Sequence, residues 1–375
     1  MAERARILIV TDEMEVGGSQ QQIVHLLKGL DRERWEPELL YFRKRSFLVD
    51  RIQEAGIATH HIAKKSRIDP VFAGQLAALL RHGNYDIVHC FSLTAEIWVR
   101  ALLMFAPRTR FIASVRGLSL GYPFWQWWFK SWILHRANAV IANARAGARM
   151  AASRCNLDES RIRVIPNGVE VPASLPEPER QALREQLDLP KDRACALFVG
   201  RLVVEKNIPL LLEAMSRVPR GQRPFLLLVG DGPLGDTLKE QAAALGIDED
   251  LRFLGERNDA RLLIQCSDFL VLPSREEGLS NVLLEAMVVG CPPLASAVGG
   301  TPELVENAVT GLLFPNGDVG SLVDSLVQLS CDAHLRARLG DAARSTAHNN
   351  YTLDRFVRGT EAVYRSVLEP RGVTP

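Results

Sequence analysis

Short runs of consecutive apolar residues recur along the whole chain, each followed by a small or polar turn. In the first half they fall at 6–10, 38–42, 57–62, 86–90, 111–115, 139–142 and 162–165. Unbroken rather than alternating hydrophobicity is what a strand covered on both faces requires. Stretches with helical spacing separate most of them, notably 21–30, 70–82 and 95–105. Such alternation predicts βαβ units and a parallel sheet, with ligands at the carboxyl ends of the strands. The pattern pauses at Pro166-Asn167-Gly168-Val169, and Pro172, Pro176 and Pro178 mark a stiff linker. It restarts with strands at 194–199, 225–229 and 269–273 and another within 290–303; helices at 319–329, 335–346 and 352–368 close the chain. The expected fold class is α/β, with two Rossmann-like doubly wound domains at 1–173 and 174–350 and a final helical segment at 351–375.

The strand at 269–273 runs into Ser274-Arg275-Glu276-Glu277-Gly278-Leu279-Ser280-Asn281, and a helix follows with Ser280 or Asn281 as its cap and Val282, Leu283 and Met287 as its apolar face. A strand, a turn of small residues and a helix start together make an anion site, because the first backbone N–H groups of a helix lack intrahelical partners. Seven residues separate Glu277 from Glu285. On one helix they would lie ~80° apart, so a shared face does not explain the pair. With Glu277 in the turn, Glu285 sits ~7 Å down the helix axis, close to the span from a nucleotide's distal phosphate to its ribose. The same spacing also fits a capping glutamate and a solvated one.

Other turns carry charge or glycine. Gly17-Gly18 precedes the helix at 21–30, and Arg201 and Lys206 occupy the turn after the strand at 194–199. Gly230, Gly232 and Gly235 match G-x-G-x-x-G after a strand, with the acids 248–250 downstream, which raises a nicotinamide-dependent oxidoreductase as a rival. Pro233 sits awkwardly in a turn that must donate N–H groups, and the same turn suits a stacked base. His89 and Arg116 end two strands of the first half; a lone His there also fits a structural role, whereas a cation at Arg116 suits an anionic substrate.

Charge changes this picture more than composition does. Residues 1–173 carry 24 Lys and Arg against 16 Asp and Glu, while the rest of the chain is net acidic by 7. A basic first half favours an anionic partner or membrane surface, and a scattered solvated surface fits as well. Residues 122–132 hold four of the six tryptophans. Trp125, Trp128, Phe129 and Trp132 recur at helical spacing, either packing on the sheet or, with Lys130, dipping into lipid headgroups. The six cysteines lack metal spacing and read as reduced, buried thiols. Ile7-Leu8-Ile9-Val10 is too short for a signal peptide, and no run approaches a membrane span. The expectation is a cytoplasmic protein whose membrane contact, if any, is peripheral, with no metal and no nucleic acid partner.

Taken together, the segments around Gly17-Gly18, Pro166-Asn167-Gly168-Val169, Gly200-Arg201 with Lys206-Asn207, Gly230-Asp231-Gly232-Pro233, Glu277 with Glu285, and Val298-Gly299-Gly300 resemble the retaining glycosyltransferases of family four, in order and spacing across nearly the whole chain. The resemblance implies the GT-B architecture, with two Rossmann-like domains facing across a cleft, the donor in the second and the last helix crossing back to the first. It implies transfer of a hexose, with retention, from a nucleotide diphosphate sugar. Arg201 and Lys206 would neutralise the diphosphate, so that no cofactor or metal is needed. Glu285 would hold the ribose, Glu277 the sugar hydroxyls, and the amides of Gly278, Leu279, Ser280 and Asn281 the phosphate. Gly230 and Asp231 would lie beside the donor, and Gly18 would reach it from the first domain. Gly17, His89 and Arg116 would lie on the acceptor side.

Many members carry His where Arg116 stands. An arginine cannot act as a base at neutral pH, which leaves open a front-face substitution assisted by the leaving phosphate. The basic first half and the tryptophans point to a lipid-linked or growing saccharide acceptor in polysaccharide or glycolipid biosynthesis, at the cytoplasmic face of the inner membrane. A soluble enzyme acting on a free sugar phosphate or glucan is the second reading, and a non-catalytic sugar-nucleotide-binding subunit the third.

Overall fold

The computed structural model describes residues 4–118 and 121–369. Its strands form two wholly parallel sheets. The first contains β1 (Ala5–Thr11), β2 (Trp35–Tyr41), β3 (Ala58–His61), β4 (Ile87–Cys90), β5 (Arg110–Val115), β6 (Ala139–Ala142) and β7 (Ile162–Val164) in the order β3-β2-β1-β4-β5-β6-β7. The second contains β8 (Cys195–Val199), β9 (Phe225–Val229), β10 (Leu251–Gly255), β11 (Phe269–Leu272), β12 (Pro293–Ser296) and β13 (Leu312–Phe314) in the order β10-β9-β8-β11-β12-β13. Both orders reverse beside their first strand, between β1 and β4 and between β8 and β11. Helices on either side diverge at such a point and leave a crevice at the strands' carboxyl ends.

The chain divides into two compact units. One runs to Gly168 and resumes at Leu353; the other spans Val169–Thr352. In the first unit, successive residues of β1 serve opposite faces, as the pleat dictates. Leu8 and Val10 join one buried cluster, and Ile7 and Ile9 the other. The helix Leu353–Leu368 covers the second of these with Phe356, Val357, Val363 and Tyr364. It fits closely on the helix Gly18–Gly29, where a Cβ on Gly29 would come within 2.6 Å of Val357. The terminal helix therefore belongs to the same unit as residues near the N-terminus.

Three local readings need correction. The edge strands escape the pattern: β10 is interrupted by Arg252 and ends on Gly255, and β13 is only three residues long. Pro178 is no linker residue, because it lies in the first turn of the helix Glu177–Gln186, where proline's missing N–H costs nothing. In the helix Phe124–Arg136 the face turned to the core carries Lys130, Ile133 and Leu134, with Trp127 and Trp132 packed beside them. Phe124, Trp125 and Trp128 point outward, at 85%, 43% and 58% exposure. Trp132 thus leaves the set expected at lipid headgroups, its ring packed on the core beside the guanidinium groups of Arg100 and Arg136. Among the described residues, no helix is long and apolar enough to cross a membrane.

Candidate functional site

In the second unit, four loops converge at the carboxyl ends of β8, β9, β11 and β12. The turn after β9 lies directly on the turn after β8. A Cβ on Gly230 would stand 2.0 Å from the Gly200 carbonyl oxygen, and one on Gly232 2.5 Å from that of Leu202. Gly230 also has φ +128°, which side chains rarely adopt. Leu202 N–H donates to the Asp231 carbonyl at 2.9 Å, and Gly232 N–H to the Asp231 carboxylate at 2.7 Å. These glycines exist so that two backbones can touch, which is a different task from cradling a dinucleotide. Asp250, the downstream acid, is held by Arg193 at 2.8 Å and Arg223 at 2.5 Å. The oxidoreductase motif therefore dissolves into packing and structural ion pairs.

The turn after β11 is tied to the same platform. Arg275 N–H donates to the Glu205 carbonyl at 2.8 Å, and Arg275 Nε to Asn207 Oδ1 at 3.2 Å. From the other side, Gly300 N–H reaches the Gly278 carbonyl at 3.1 Å, and Ser296 Oγ donates to the Ser274 carbonyl. Glu277 Oε1 accepts from Lys206 Nζ at 2.5 Å and from Ser274 Oγ at 2.7 Å. Arg201 stands at the same edge, exposed, and its guanidinium has no ion-pair partner among the described residues. The helix Asn281–Val289 begins here with Ser280 as an extended N-cap whose hydroxyl makes no capping bond, and it ends on Gly290 at φ +78°. Gly278, Leu279, Ser280 and Asn281 thus form the approach to a helix N-terminus.

Glu285 lies in the second turn of that helix. Burial pushes its carboxyl up, while Arg261, 3.6 Å away, opposes the shift. Arg261 also bonds Glu170 at 2.9 Å. Glu285 is thus pre-oriented and mostly buried, with one long ion contact that leaves its oxygens capacity for hydroxyl donors. Arg261 and Arg275 carry no motif signal, and their roles depend wholly on what the fold sets beside them.

In the first unit, Gly17 is the extended N-cap of the helix Gly18–Gly29. A pocket of about 420 Å³ lies there, lined by Asp12, Gly18, Ser19, Gln20 and Tyr122 among others. Two expected site residues lie elsewhere. His89 is buried, with Nδ1 2.8 Å from the Tyr364 hydroxyl and Nε2 2.9 Å from Ser114 Oγ. Burial, with Arg116 nearby, drives its pKa well down. Both ring nitrogens are occupied, so His89 anchors the terminal helix and leaves the acceptor side. Lys130 is also no surface cation. Its Nζ donates to both Glu96 oxygens, at 2.8 and 2.6 Å, and to the Ser114 carbonyl at 2.7 Å.

Arg116 directly follows β5, with its guanidinium 4.4 Å from the centre of the Phe91 ring and Nη1 donating to Asn167 Oδ1 at 3.2 Å. Nε and Nη2 are buried without a hydrogen-bond partner among the described residues. Burial pulls its pKa down to about 10, so it stays charged at neutral pH.

Two doubly wound units, with an anion-ready helix start and two cations at one switch point, define the GT-B class of glycosyltransferases. A family model described as "Glycosyltransferase Family 4" matches residues 16–171, and one described as "Glycosyl transferases group 1" matches 179–346. The chain is 30% identical over 331 residues to a D-inositol 3-phosphate glycosyltransferase of Mycolicibacterium paratuberculosis, spanning 80% of this chain and 73% of the relative. It is 27% identical over 302 residues to an uncharacterised glycosyltransferase of Methanocaldococcus jannaschii, with 77% of each covered. Anabaena HepE, solved with UDP and glucose, superposes with a TM-score of 0.88 at 21% identity, over 97% of this chain and 100% of that one. Sucrose-phosphate synthase from Thermosynechococcus elongatus gives 0.81 at 21% identity, over 97% and 99%. The chain belongs to glycosyltransferase family four.

Proposed function

We propose that this glycosyltransferase moves a hexose, with retention and without a divalent metal, from a nucleotide diphosphate sugar to a lipid-linked or growing saccharide. The observation that carries the donor is the edge shared by Arg201, the Lys206–Glu277 pair and the N-terminus of the helix Asn281–Val289. Arg201 and Lys206, the latter shared with Glu277, present positive charge to a diphosphate, and the amides from Gly278 to Asn281 add oriented dipoles. Glu285 receives the ribose hydroxyls, Glu277 those of the sugar, and Gly230 and Asp231 flank the base. The binding of UDP-glucose by HepE supports a donor of this class.

In the reaction, the bond from the anomeric carbon to the diphosphate oxygen breaks. The acceptor oxygen bonds to that carbon on the same face, and its proton passes to the leaving phosphate. Arg116, charged at neutral pH, cannot take that proton. Stabilising the leaving diphosphate is then the main catalytic device. Gly18 serves the donor from the first unit, and Gly17 and Arg116 serve the acceptor side. Trp125 and Trp128, exposed in a basic half of the chain, bring the enzyme to an anionic membrane surface.

A second reading, transfer to a free sugar phosphate, is favoured by the likeness to a D-inositol 3-phosphate glycosyltransferase. A thermal-shift panel of uridine and guanosine diphosphate sugars, run with and without chelator, tests the donor. A rise with one sugar nucleotide that survives chelation supports it, and turnover that vanishes with chelator overturns it. Product from a water-soluble acceptor by a protein that ignores vesicles would select the second reading.

A further inference from the structure

Two depressions in the first unit share a wall. The 420 Å³ pocket presents hydroxyl, amide and carboxylate groups, including Asp12, Gln20, Tyr122 and Gln126. A larger groove of about 670 Å³ has an apolar lining built from Ile68, Ile97, Trp98, Trp125 and Phe129. Thr94 lines both. The groove also carries Arg43, Lys64, Lys65 and Arg67, and among the described residues no carboxylate lines it.

These cations lie against the apolar wall. Arg67 sits 5.0 Å from the centre of the Trp125 ring and Lys64 5.6 Å from that of Trp98. Burial and then the nearby charge of Arg43 lower the pKa of Lys64, with Asp69 opposing them. Ile68 is 81% exposed at the rim, an apolar side chain left uncovered beside charge. An alkyl chain alone would leave the cations unmatched, and a phosphate alone would leave the tryptophans wet. The lining is complementary to a molecule that is anionic at one point and apolar along its length.

We propose that this groove binds a single lipid phosphate, with the chain against Ile68, Trp98 and Trp125 and the phosphate on Arg43, Lys65 and Arg67. A saccharide attached to that phosphate reaches the polar pocket past Thr94. A concave groove of this volume holds one ligand, unlike a flat face that adheres to a bilayer. The inference rests on the lipid-linked acceptor reading and specifies where that acceptor is held.

The test uses the whole chain and monomeric dodecyl phosphate, followed by tryptophan fluorescence, with dodecyl maltoside and inorganic phosphate as controls. Dodecyl phosphate should bind saturably and at least tenfold more tightly than the neutral amphiphile. Inorganic phosphate at equal concentration should not displace it. Lys65→Glu with Arg67→Glu should weaken binding at least tenfold while the thermal shift with UDP stays unchanged, which shows that the variant is folded. Equal affinity for both amphiphiles, displacement by inorganic phosphate, or unchanged affinity in the variant would each overturn the proposal. So would binding to phosphatidylglycerol vesicles without binding to the monomeric probe. A protein that binds dodecyl phosphate and no nucleotide would sink the donor reading alone; the reverse pattern would sink only the groove.

Discussion

Replacing Lys130 by methionine removes one partner of an ion pair sealed inside the first unit. Glu96 has no exposed surface and Lys130 only 7%. Lys130 donates three hydrogen bonds there, and the remaining donor to the Glu96 carboxylate is the Ser114 N–H at 2.9 Å. Truncating one side of such a pair leaves a buried charge uncompensated and costs about 3–5 kcal/mol. For a unit of this size each kcal/mol moves the midpoint by about 2–4 °C, so the unfolding transition should fall by roughly 6–20 °C.

Burial already pushes the Glu96 carboxyl up, and mainly Lys130 opposes it. Without Lys130 the folded-state pKa rises further. A raised acid pKa gives stability that is present at low pH and lost as pH climbs through the folded value. The Lys130→Met deficit should therefore be larger at pH 8 than at pH 5. Adding Glu96→Leu should restore much of the loss, since an apolar pair leaves no orphan charge. Calorimetry of the four proteins of the cycle reads all of this. A Lys130→Met protein that melts with the wild type yet loses vesicle binding would refute the reasoning and return Lys130 to the surface role its sequence context suggested.

Arg201→Ala and Lys206→Ala should each lower kcat/KM by roughly 10- to 150-fold, the value of one charge-assisted contact of about 1.5–3 kcal/mol. The melting point should barely move for Arg201→Ala and fall for Lys206→Ala, which leaves Glu277 without its cation, and a variant with wild-type turnover would remove its cation from the donor site. Gly230→Ala must place a methyl 2.0 Å from the Gly200 carbonyl oxygen at φ +128°. It should cost roughly 2–4 kcal/mol and loosen nucleotide binding, as read by denaturant melts and thermal shift. Burial alone would raise the Glu38 carboxyl, but bonds from His60 at 2.6 Å, Tyr85 at 2.7 Å and Arg6 hold it at about 2. A depressed acid contributes stability above the unfolded carboxyl range that is lost as pH falls toward 2. Glu38→Gln should therefore flatten the acid limb of the melting profile, and an unchanged limb would discount the network. Trp125→Ala with Trp128→Ala should release the protein from anionic vesicles in a sedimentation assay, and unaltered sedimentation would retire the membrane contact.

Most strands, the start of the helix Asn281–Val289 and the glycine turns were legible in the chain because each depends on near neighbours. A run such as Ile7-Leu8-Ile9-Val10 declares a strand buried on both faces wherever it occurs. Ser280 before an apolar helix declares an N-terminus. Partner choice was not legible, since it joins residues that the sequence keeps far apart. Lys130 reads as a basic neighbour of tryptophans until the fold sets Glu96, 34 residues away, beneath it. His89 reads as a site residue until Tyr364, 275 residues away, occupies its ring nitrogen. Glu277 and Lys206 could be named separately, but their contact across 71 residues exists only once β8 and β11 lie side by side. Charge and hydrogen bonding act over a few ångströms of space, so tertiary structure alone decided which polar groups are committed to partners in the core.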